Sequence, residues 1–189
     1  MPEPKEKELY GQAKSEFERL FNHEFGTCHL EITANGNFSE KLKSRVKEDI
    51  VFAFIKRMRG SESRSPDITG FVKGNFGTES LSTIEVKNET ISLWDVYQAK
   101  MYAELFDARY GFLVSTDPIP TELKKLHKVH SILNRFRYGT YLGLVEFDTG
   151  SRSIVHESWF PDPPFKYDSK DLSKKAETFE DSLKRSFGT

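Results

Sequence analysis

The amino-acid sequence predicts an α/β fold with a central mixed β-sheet flanked by helices on both faces. Residues 65–88 contain two apolar strands joined by a glycine-containing turn, a pattern typical of a hairpin. Downstream of this hairpin, helical and strand-like patterns alternate, which indicates parallel pairing through crossover helices. The chain has 189 residues, of which 37% are hydrophobic and 30% are charged, so one domain with a substantial core is expected.

The first third of the chain is predicted to be largely helical. Residues 5–24 place apolar side chains at helical spacing, and a second helix is predicted after Ser39 on the same grounds. The turn signal Asn35-Gly36-Asn37 precedes this second helix, and the segment GSESRSP ends it. The segment CHLEITANGNF is compatible with either a short strand or a loop.

The remaining elements follow from alternation and capping signals. Ser92 and Asp95 have the spacing of a capping box, which predicts that a helix begins there and runs to about Phe106. The other predicted elements are strands at about 67–73 and 81–87, a strand in RYGFLVST, a helix over 121–136, and strands in TYLGLVEFD and SIVHESWF.

One α/β domain is expected over residues 1–160. Residues 161–189 are predicted to form a polar, charge-balanced C-terminal extension, in which Leu172, Phe179 and Leu183 favour a short amphipathic helix.

Composition narrows the class of protein. The single cysteine, Cys28, excludes an internal disulfide and a cysteine-based zinc cluster, and this usage favours a reducing cytoplasm. The sequence has no N-terminal apolar run and no apolar stretch long enough to span a bilayer, so no membrane partner is expected. A net charge of −1 argues against a protein that coats nucleic acid through a general positive field.

Three charged residues occupy positions where strands normally carry apolar ones. Asp67 begins the first strand of the hairpin, and Glu85 and Lys87 lie two residues apart on the second. Residues at i and i+2 of a strand share a face, so a hairpin can bring all three to one end of the sheet. These charges either lie on a solvated strand face or form a site.

A site is the more specific interpretation. Two carboxylates held close together repel each other unless a cation lies between them. Mg²⁺, or Mn²⁺ in its place, suits one or two carboxylates and keeps water ligands. Such an ion polarises a phosphoryl oxygen, and Lys87 beside it orients or deprotonates an attacking water. This chemistry is that of a phosphodiester hydrolase.

Pro66-Asp67 followed by Glu85-Val86-Lys87 resembles the signature of the PD-(D/E)XK nuclease superfamily. The resemblance covers about residues 40–147 and implies a restriction-endonuclease-like core. It implies that Asp67 and Glu85 are metal ligands, that the carbonyl of Val86 completes the metal site, and that Lys87 is the catalytic lysine. DNA is the substrate that it implies, and a homodimer is one arrangement that it allows.

The predicted helix that follows the hairpin holds a second element of this resemblance. Gln98 and Tyr102 are similar to the QxxxY element of the RecB-like branch of the superfamily. Residues at i and i+4 share a helix face, so both side chains can reach one phosphate or base. The alternative is an ordinary helix surface with Tyr102 packed on the sheet.

The sequence leaves one acidic position open. Many members of the superfamily place an acidic residue or a histidine on the helix before the Pro-Asp strand, and here both Glu48 and Asp49 qualify. Asp49 borders the apolar face of the predicted helix, whereas Glu48 points nearly opposite, and the pattern does not choose between them.

Two segments are locally basic. Residues 41–59 contain seven basic residues against two acidic ones, and residues 121–137 contain five against one. Such segments either bind phosphates or form solvated helix faces. The candidate DNA-binding residues are the basic ones of the second segment, Lys124, Lys125, Lys128 and Arg135. A non-catalytic module that binds nucleic acid or protein through the same fold is the alternative to a nuclease.

Overall fold

A computed structural model describes residues 6–47, 50–57, 65–73, 78–134 and 140–165 of the chain. The architecture is α/β, with a mixed six-stranded sheet that curls into a half-barrel and helices that pack against it. The elements are α1 (Glu6–Phe25), β1 (Thr27–Ile32), α2 (Glu40–Lys43), α3 (Ile50–Arg57), β2 (Ile68–Lys73), β3 (Glu79–Lys87), α4 (Leu93–Leu105), β4 (Tyr110–Ser115), α5 (Thr121–His130), β5 (Tyr141–Asp148) and β6 (Ser153–Ile154).

The strands lie in the sheet in the order in which they occur in the chain. β1, β2 and β3 pair antiparallel, which confirms the predicted hairpin of β2 and β3. β4 and β5 then add in parallel through the helices α4 and α5, and β6 pairs antiparallel with β5. The sheet is therefore mixed, as the alternation of elements predicts.

Helices cover both faces of the sheet. On one face α1 packs its apolar stripe, which includes Leu9, Phe17 and Phe21, against Ile84 and Phe112 of the strands. On the other face lie two clusters, one built from α2, α3 and the end of α4, the other from α4, α5 and strands β4 and β5. The central strands are buried on both sides, which explains their nearly continuous apolar composition.

The capping box predicted at the start of α4 is present. The Ser92 hydroxyl accepts a hydrogen bond from the main-chain N–H of Asp95 at 3.4 Å, and the Asp95 carboxylate accepts one from the main-chain N–H of Ser92 at 2.8 Å. The two bonds satisfy N–H groups that have no partner within a helix. The first turn of α4 is thereby fixed beside the end of β3.

Two predicted helices end earlier than their patterns indicate. The helix after Ser39 is interrupted, since α2 ends at Lys43 and residues 44–47 are not helical, whereas α3 begins at Ile50. The helix over 121–136 stops at His130, because Ser131 adopts a left-handed conformation with φ 53°. Leu133 remains buried outside the helix, and its N–H donates to Nδ1 of His127. The helical spacing of apolar side chains therefore continues to Leu133, although α5 itself ends at His130.

The C-terminal part also differs from its prediction. The segment SIVHESWF forms a strand only at Ser153–Ile154 and then a short 3-10 helix, His156–Ser158. Phe165 is buried and its ring is stacked on that of Phe112, with 6.0 Å between the ring centroids. The packed core thus includes Phe165, which the sequence assigns to the polar extension, while residues 166–189 lie outside the described part of the chain.

Within the described ranges, no helix is both long enough and apolar enough to cross a membrane.

Two glycines provide a matched test of the sheet. A Cβ at Gly70 would lie 2.1 Å from the carbonyl oxygen of His29 on the neighbouring strand, whereas a Cβ at Gly11 on α1 would meet nothing within 4 Å. We expect Gly70→Ala to lower the free energy of unfolding by about 3 kcal/mol because the strands must separate. Gly11→Ala is expected to raise it by about 0.5–1 kcal/mol, since alanine favours a helix interior. Denaturant unfolding measures both, and equal effects of the two substitutions would contradict the close β1–β2 contact.

Candidate active site

The candidate site lies where β3 continues past the start of β2. Ile68 opposite Ile84 is the terminal pair of their register, and one further step places Asp67 opposite Glu85. Lys87 follows two residues later and shares a face with Glu85. The structure therefore brings together the three residues that the sequence singles out, at the carboxyl end of β3.

Asp67 takes the position of a missing strand partner. Its Oδ2 accepts a hydrogen bond from the main-chain N–H of Val86 at 2.8 Å, and the residue is only 7% exposed. Burial raises the pKa of this carboxyl to about 6, although the Val86 N–H, the Tyr10 hydroxyl and the Lys87 charge favour the carboxylate. The environment is thus poised between the charged and the neutral form.

Glu85 is the most deeply buried charged residue of the site, at 2% exposure. Its Oε2 accepts a hydrogen bond from Nε2 of Gln98 at 3.1 Å. Its Oε1 is buried and has no hydrogen-bond partner within the described part of the chain. Burial and the nearby Asp67 charge raise the pKa of Glu85 well above its usual range. A buried acceptor without a partner is costly, so this oxygen marks a place for a cation or a donor.

Lys87 lies between carboxylates. Its Nζ is 4.0 Å from Oε2 of Glu85 and 3.7 Å from Oδ1 of Asp95, and the side chain is 15% exposed. Burial favours the neutral amine, but the charges of Glu85, Asp67 and Asp95 outweigh it and raise the pKa of Lys87. The ammonium is therefore the form at neutral pH.

Helix α1 contributes two site residues that the sequence did not reveal. The buried Tyr10 hydroxyl donates to Oε1 of Glu6 at 2.7 Å and also lies within hydrogen-bonding reach of Asp67. The negative charge of Glu6 acts on Asp67, Glu85 and Lys87 and raises the pKa of each. Burial and the Asp67 charge raise the pKa of Tyr10, so the hydroxyl keeps its proton.

Glu6 and Tyr10 lie one helical turn apart, which is the only pattern that connects them in the sequence. About sixty residues separate them from Asp67, so no local spacing could have linked the helix to the hairpin.

Gln98 and Tyr102 share a face of α4 but have different environments. Gln98 reaches the site through its hydrogen bond to Glu85. Tyr102 is only 1% exposed, so its ring belongs to the packing beneath the site. Joint contact of both side chains with a phosphate or a base stays a prediction.

The candidate DNA-binding lysines lie on α5. This helix begins at the same edge of the sheet as the site, since the main-chain N–H of Thr116 donates to the carbonyl of Lys87 at 3.1 Å. Lys125 and Lys128 are exposed, and Lys124 is half-buried with its Nζ 6.0 Å from the ring centroid of Phe160. Arg135 lies outside the described residues.

In the other basic segment, three of the basic residues that the structure describes are paired with acidic side chains. Lys43 pairs with Glu40, Arg45 with Glu79 and Lys47 with Asp107. These ion pairs neutralise the charge of Lys43, Arg45 and Lys47, as expected for a solvated helix face. Glu48 and Asp49, the two candidates for a further acidic group, lie outside the described residues.

The residues present fit a divalent metal ion. Asp67 and Glu85 supply hard carboxylate oxygens, which Mg²⁺ prefers, and the unpartnered Oε1 of Glu85 has a lone pair available. The N–H of Val86 points at Asp67, and the N–H and carbonyl of one strand residue lie on the same side of the strand. Within the described ranges, however, no group of three or more His, Cys, Asp or Glu side chains forms a ready-made metal cluster.

The raised pKa values predict a specific pH dependence of stability in EDTA. The folded-state pKa of Asp67 is about 6 instead of 3.8, so between these values the folded protein binds more protons than the unfolded chain. Its stability therefore falls as the pH rises through this window, and Glu85 acts in the same direction. We expect Asp67→Asn and Glu85→Gln to raise Tm at pH 7 and to flatten the decline.

Thermal unfolding between pH 4 and 8 measures this effect. Glu122→Gln, on the exposed surface of α5, is the matched control and should follow the wild type. The Tm of the wild type could instead rise between pH 4 and 6, with the same slope in Asp67→Asn. This result would show that ionisation of Asp67 and Glu85 does not destabilise the folded protein.

Comparison of the chain with models of known protein families, with curated proteins and with solved structures gave no significant match.

Proposed function

We propose that this protein is a divalent-metal-dependent nuclease that hydrolyses DNA phosphodiester bonds through Asp67, Glu85 and Lys87. The observation on which the proposal depends is the buried Glu85 carboxylate, which faces Asp67 and has one oxygen without a partner in the described part of the chain. Two buried carboxylates with a lysine beside them are a functional arrangement more often than a stabilising one.

We further propose that the fold is a restriction-endonuclease-like core of the PD-(D/E)XK superfamily. In support of this assignment, an antiparallel hairpin carries Asp67 at the start of one strand and Glu85 and Lys87 at the end of the other. A helix that contains Gln98 follows, and then a strand that pairs in parallel with β3. This is the order of elements that the sequence resemblance implies.

Asp67, Glu85 and the carbonyl of Val86 would hold the metal ion, with Mg²⁺ or Mn²⁺ as the candidates. When bound, such an ion polarises the phosphoryl oxygen and lowers the pKa of a coordinated water. The fit rests on the oxygen donors and on the unpartnered Oε1 of Glu85.

The side chains around the carboxylates have separate roles in this proposal. Gln98 fixes the orientation of Glu85 by donating to Oε2, which leaves Oε1 directed at the site. Tyr10 restrains Glu6 and Asp67 from the opposite face of the sheet. Lys87, as an ammonium, orients the attacking water and neutralises charge on the phosphate, since its carboxylate neighbours oppose deprotonation.

Cleavage assays with linear, single-stranded and branched DNA test the proposal directly. With Mg²⁺ or Mn²⁺ we expect wild type to cut, and Asp67→Ala and Glu85→Ala to lose at least 100-fold in rate, because each removes a metal ligand. The same two variants should bind Mn²⁺ at least tenfold more weakly in calorimetry. Glu122→Gln is the control for purification and folding.

Lys87→Ala separates the catalytic role of the lysine from metal binding by the carboxylates. We expect it to abolish cleavage while Mn²⁺ affinity is retained, since the lysine contacts the carboxylates but contributes no metal ligand. Loss of metal affinity in this variant would reassign Lys87 to the support of the metal site. Metal binding by the wild type without any cleavage would favour the alternative, a non-catalytic module that retains the fold.

The lysines of α5 are proposed to bind the DNA backbone. We expect Lys125→Ala/Lys128→Ala to weaken DNA binding at low salt and to reduce the slope of log affinity against log salt by about 2, one for each phosphate contact. The control is Lys43→Ala/Lys47→Ala, since both of these lysines are paired with acidic residues. Equal slopes for the two double variants would exclude α5 from the DNA interface.

A further inference from the structure

We propose that Asp95 is a positioning residue that holds the Lys87 ammonium in the site while it also fixes the first turn of α4. This inference rests on the proposed nuclease function. Asp95 belongs to the capping box, and the geometry indicates a second role for the same carboxylate.

The two carboxylate oxygens of Asp95 have different partners. Oδ2 accepts hydrogen bonds from the main-chain N–H of Ser92 at 2.8 Å and from its hydroxyl at 2.6 Å. Oδ1 lies 3.7 Å from Nζ of Lys87. The cap therefore uses one oxygen and leaves the other directed at the lysine.

Lys87 needs such a restraint. A lysine side chain has four flexible methylene groups and no fixed donor geometry, so its head group is placed only by its neighbours. Glu85 lies at 4.0 Å but is assigned to the metal site. Asp95 is then the other carboxylate near Lys87, and its Oδ1 can serve the lysine while Oδ2 serves the cap. Its own position is restrained by the main-chain N–H of Ser92, which donates to Oδ2 at 2.8 Å and is kept when the Ser92 side chain is replaced.

Helix α4 also acts on the neighbouring catalytic residue. Gln98, one turn after Asp95, donates to Glu85, and residues at i and i+3 lie on the same side of a helix. The adjacent side of the helix is anchored in the core through Val96, Ala99 and Ala103. One helix that is anchored in the core thus holds both Glu85 and Lys87 in place, which is the kind of rigid support that precise alignment of reacting groups requires.

The two roles of Asp95 can be separated by substitution. Asp95→Asn keeps an acceptor oxygen for the Ser92 N–H but removes the charge that faces Lys87. Ser92→Ala removes the hydroxyl from the cap but keeps the Asp95 carboxylate. A merely structural Asp95 would make the two variants alike.

The steady-state prediction concerns kcat. At 25 °C we expect Asp95→Asn to lower kcat at least tenfold with unchanged KM and unchanged Mn²⁺ affinity, because the lysine is no longer held against the reacting phosphate. Ser92→Ala should lower Tm by a few degrees and retain kcat. Asp95→Glu, which keeps the charge, should recover part of the kcat lost in Asp95→Asn. Equal kcat in Asp95→Asn and wild type would overturn the proposal.

A second measurement does not depend on cleavage. Thermal unfolding of wild type, Lys87→Met, Asp95→Asn and the double variant forms a cycle that isolates the interaction between the two residues. We expect the Asp95→Asn substitution to lower Tm in the wild-type background and to have a smaller effect once Lys87 is replaced. Identical shifts in both backgrounds would show that Asp95 does not hold Lys87. A wild type that cuts no DNA would contradict the nuclease function, whereas the cycle would still decide the pairing.

Discussion

The site depends on the way in which β3 extends beyond β2. The register of the hairpin ends at Ile68 and Ile84, so the main chain of β3 from Glu85 onward has no β2 strand beside it. A strand that passes its neighbour leaves main-chain N–H groups without partners. Here the Asp67 carboxylate accepts the hydrogen bond from Val86 and closes the gap. Because this bond fixes Asp67 opposite Glu85, it brings two carboxylates together in a buried environment, and the remaining features of the site follow from that pairing.

The resulting electrostatics are unfavourable for stability. Glu6, Asp67, Glu85 and Asp95 all act on the Lys87 ammonium, and burial acts against the ionised forms of Asp67 and Glu85. A protein under selection for stability alone would replace such a cluster with apolar side chains. A divalent cation bound to Asp67 and Glu85 would offset the repulsion. The repulsion between the buried carboxylates of Asp67 and Glu85 is therefore best explained as a property of a functional site.

The sequence predicted the local features of the site and missed the tertiary ones. The hairpin, the capping box and the parallel strand after α4 depend on periodicity and on signals within a few residues, and the structure confirms all three. The contact of α1 with the site was missed because Glu6 and Tyr10 lie far from Asp67 in the chain, and chain packing alone brings them together. The proximity of Asp95 to Lys87 was missed for a related reason, since the capping pattern already accounted for an acidic residue at this position.

The end of α5 shows that a local sequence pattern can also predict the wrong backbone conformation. Apolar spacing continued through residues 131–136, yet Ser131 ends α5 with a left-handed conformation and Leu133 is buried outside the helix. Periodicity records which side chains face the core, and it does not record the backbone conformation that places them there.

A crystal structure of the wild type soaked with Mn²⁺, with anomalous diffraction data, would test the central claim most directly. The account predicts an anomalous peak in contact with a carboxylate oxygen of Asp67 and with Oε1 of Glu85, with Lys87 directed at the same place. Absence of a peak at this pair, at a Mn²⁺ concentration that produces peaks at other carboxylates, would contradict the assignment of Asp67 and Glu85 as a metal site.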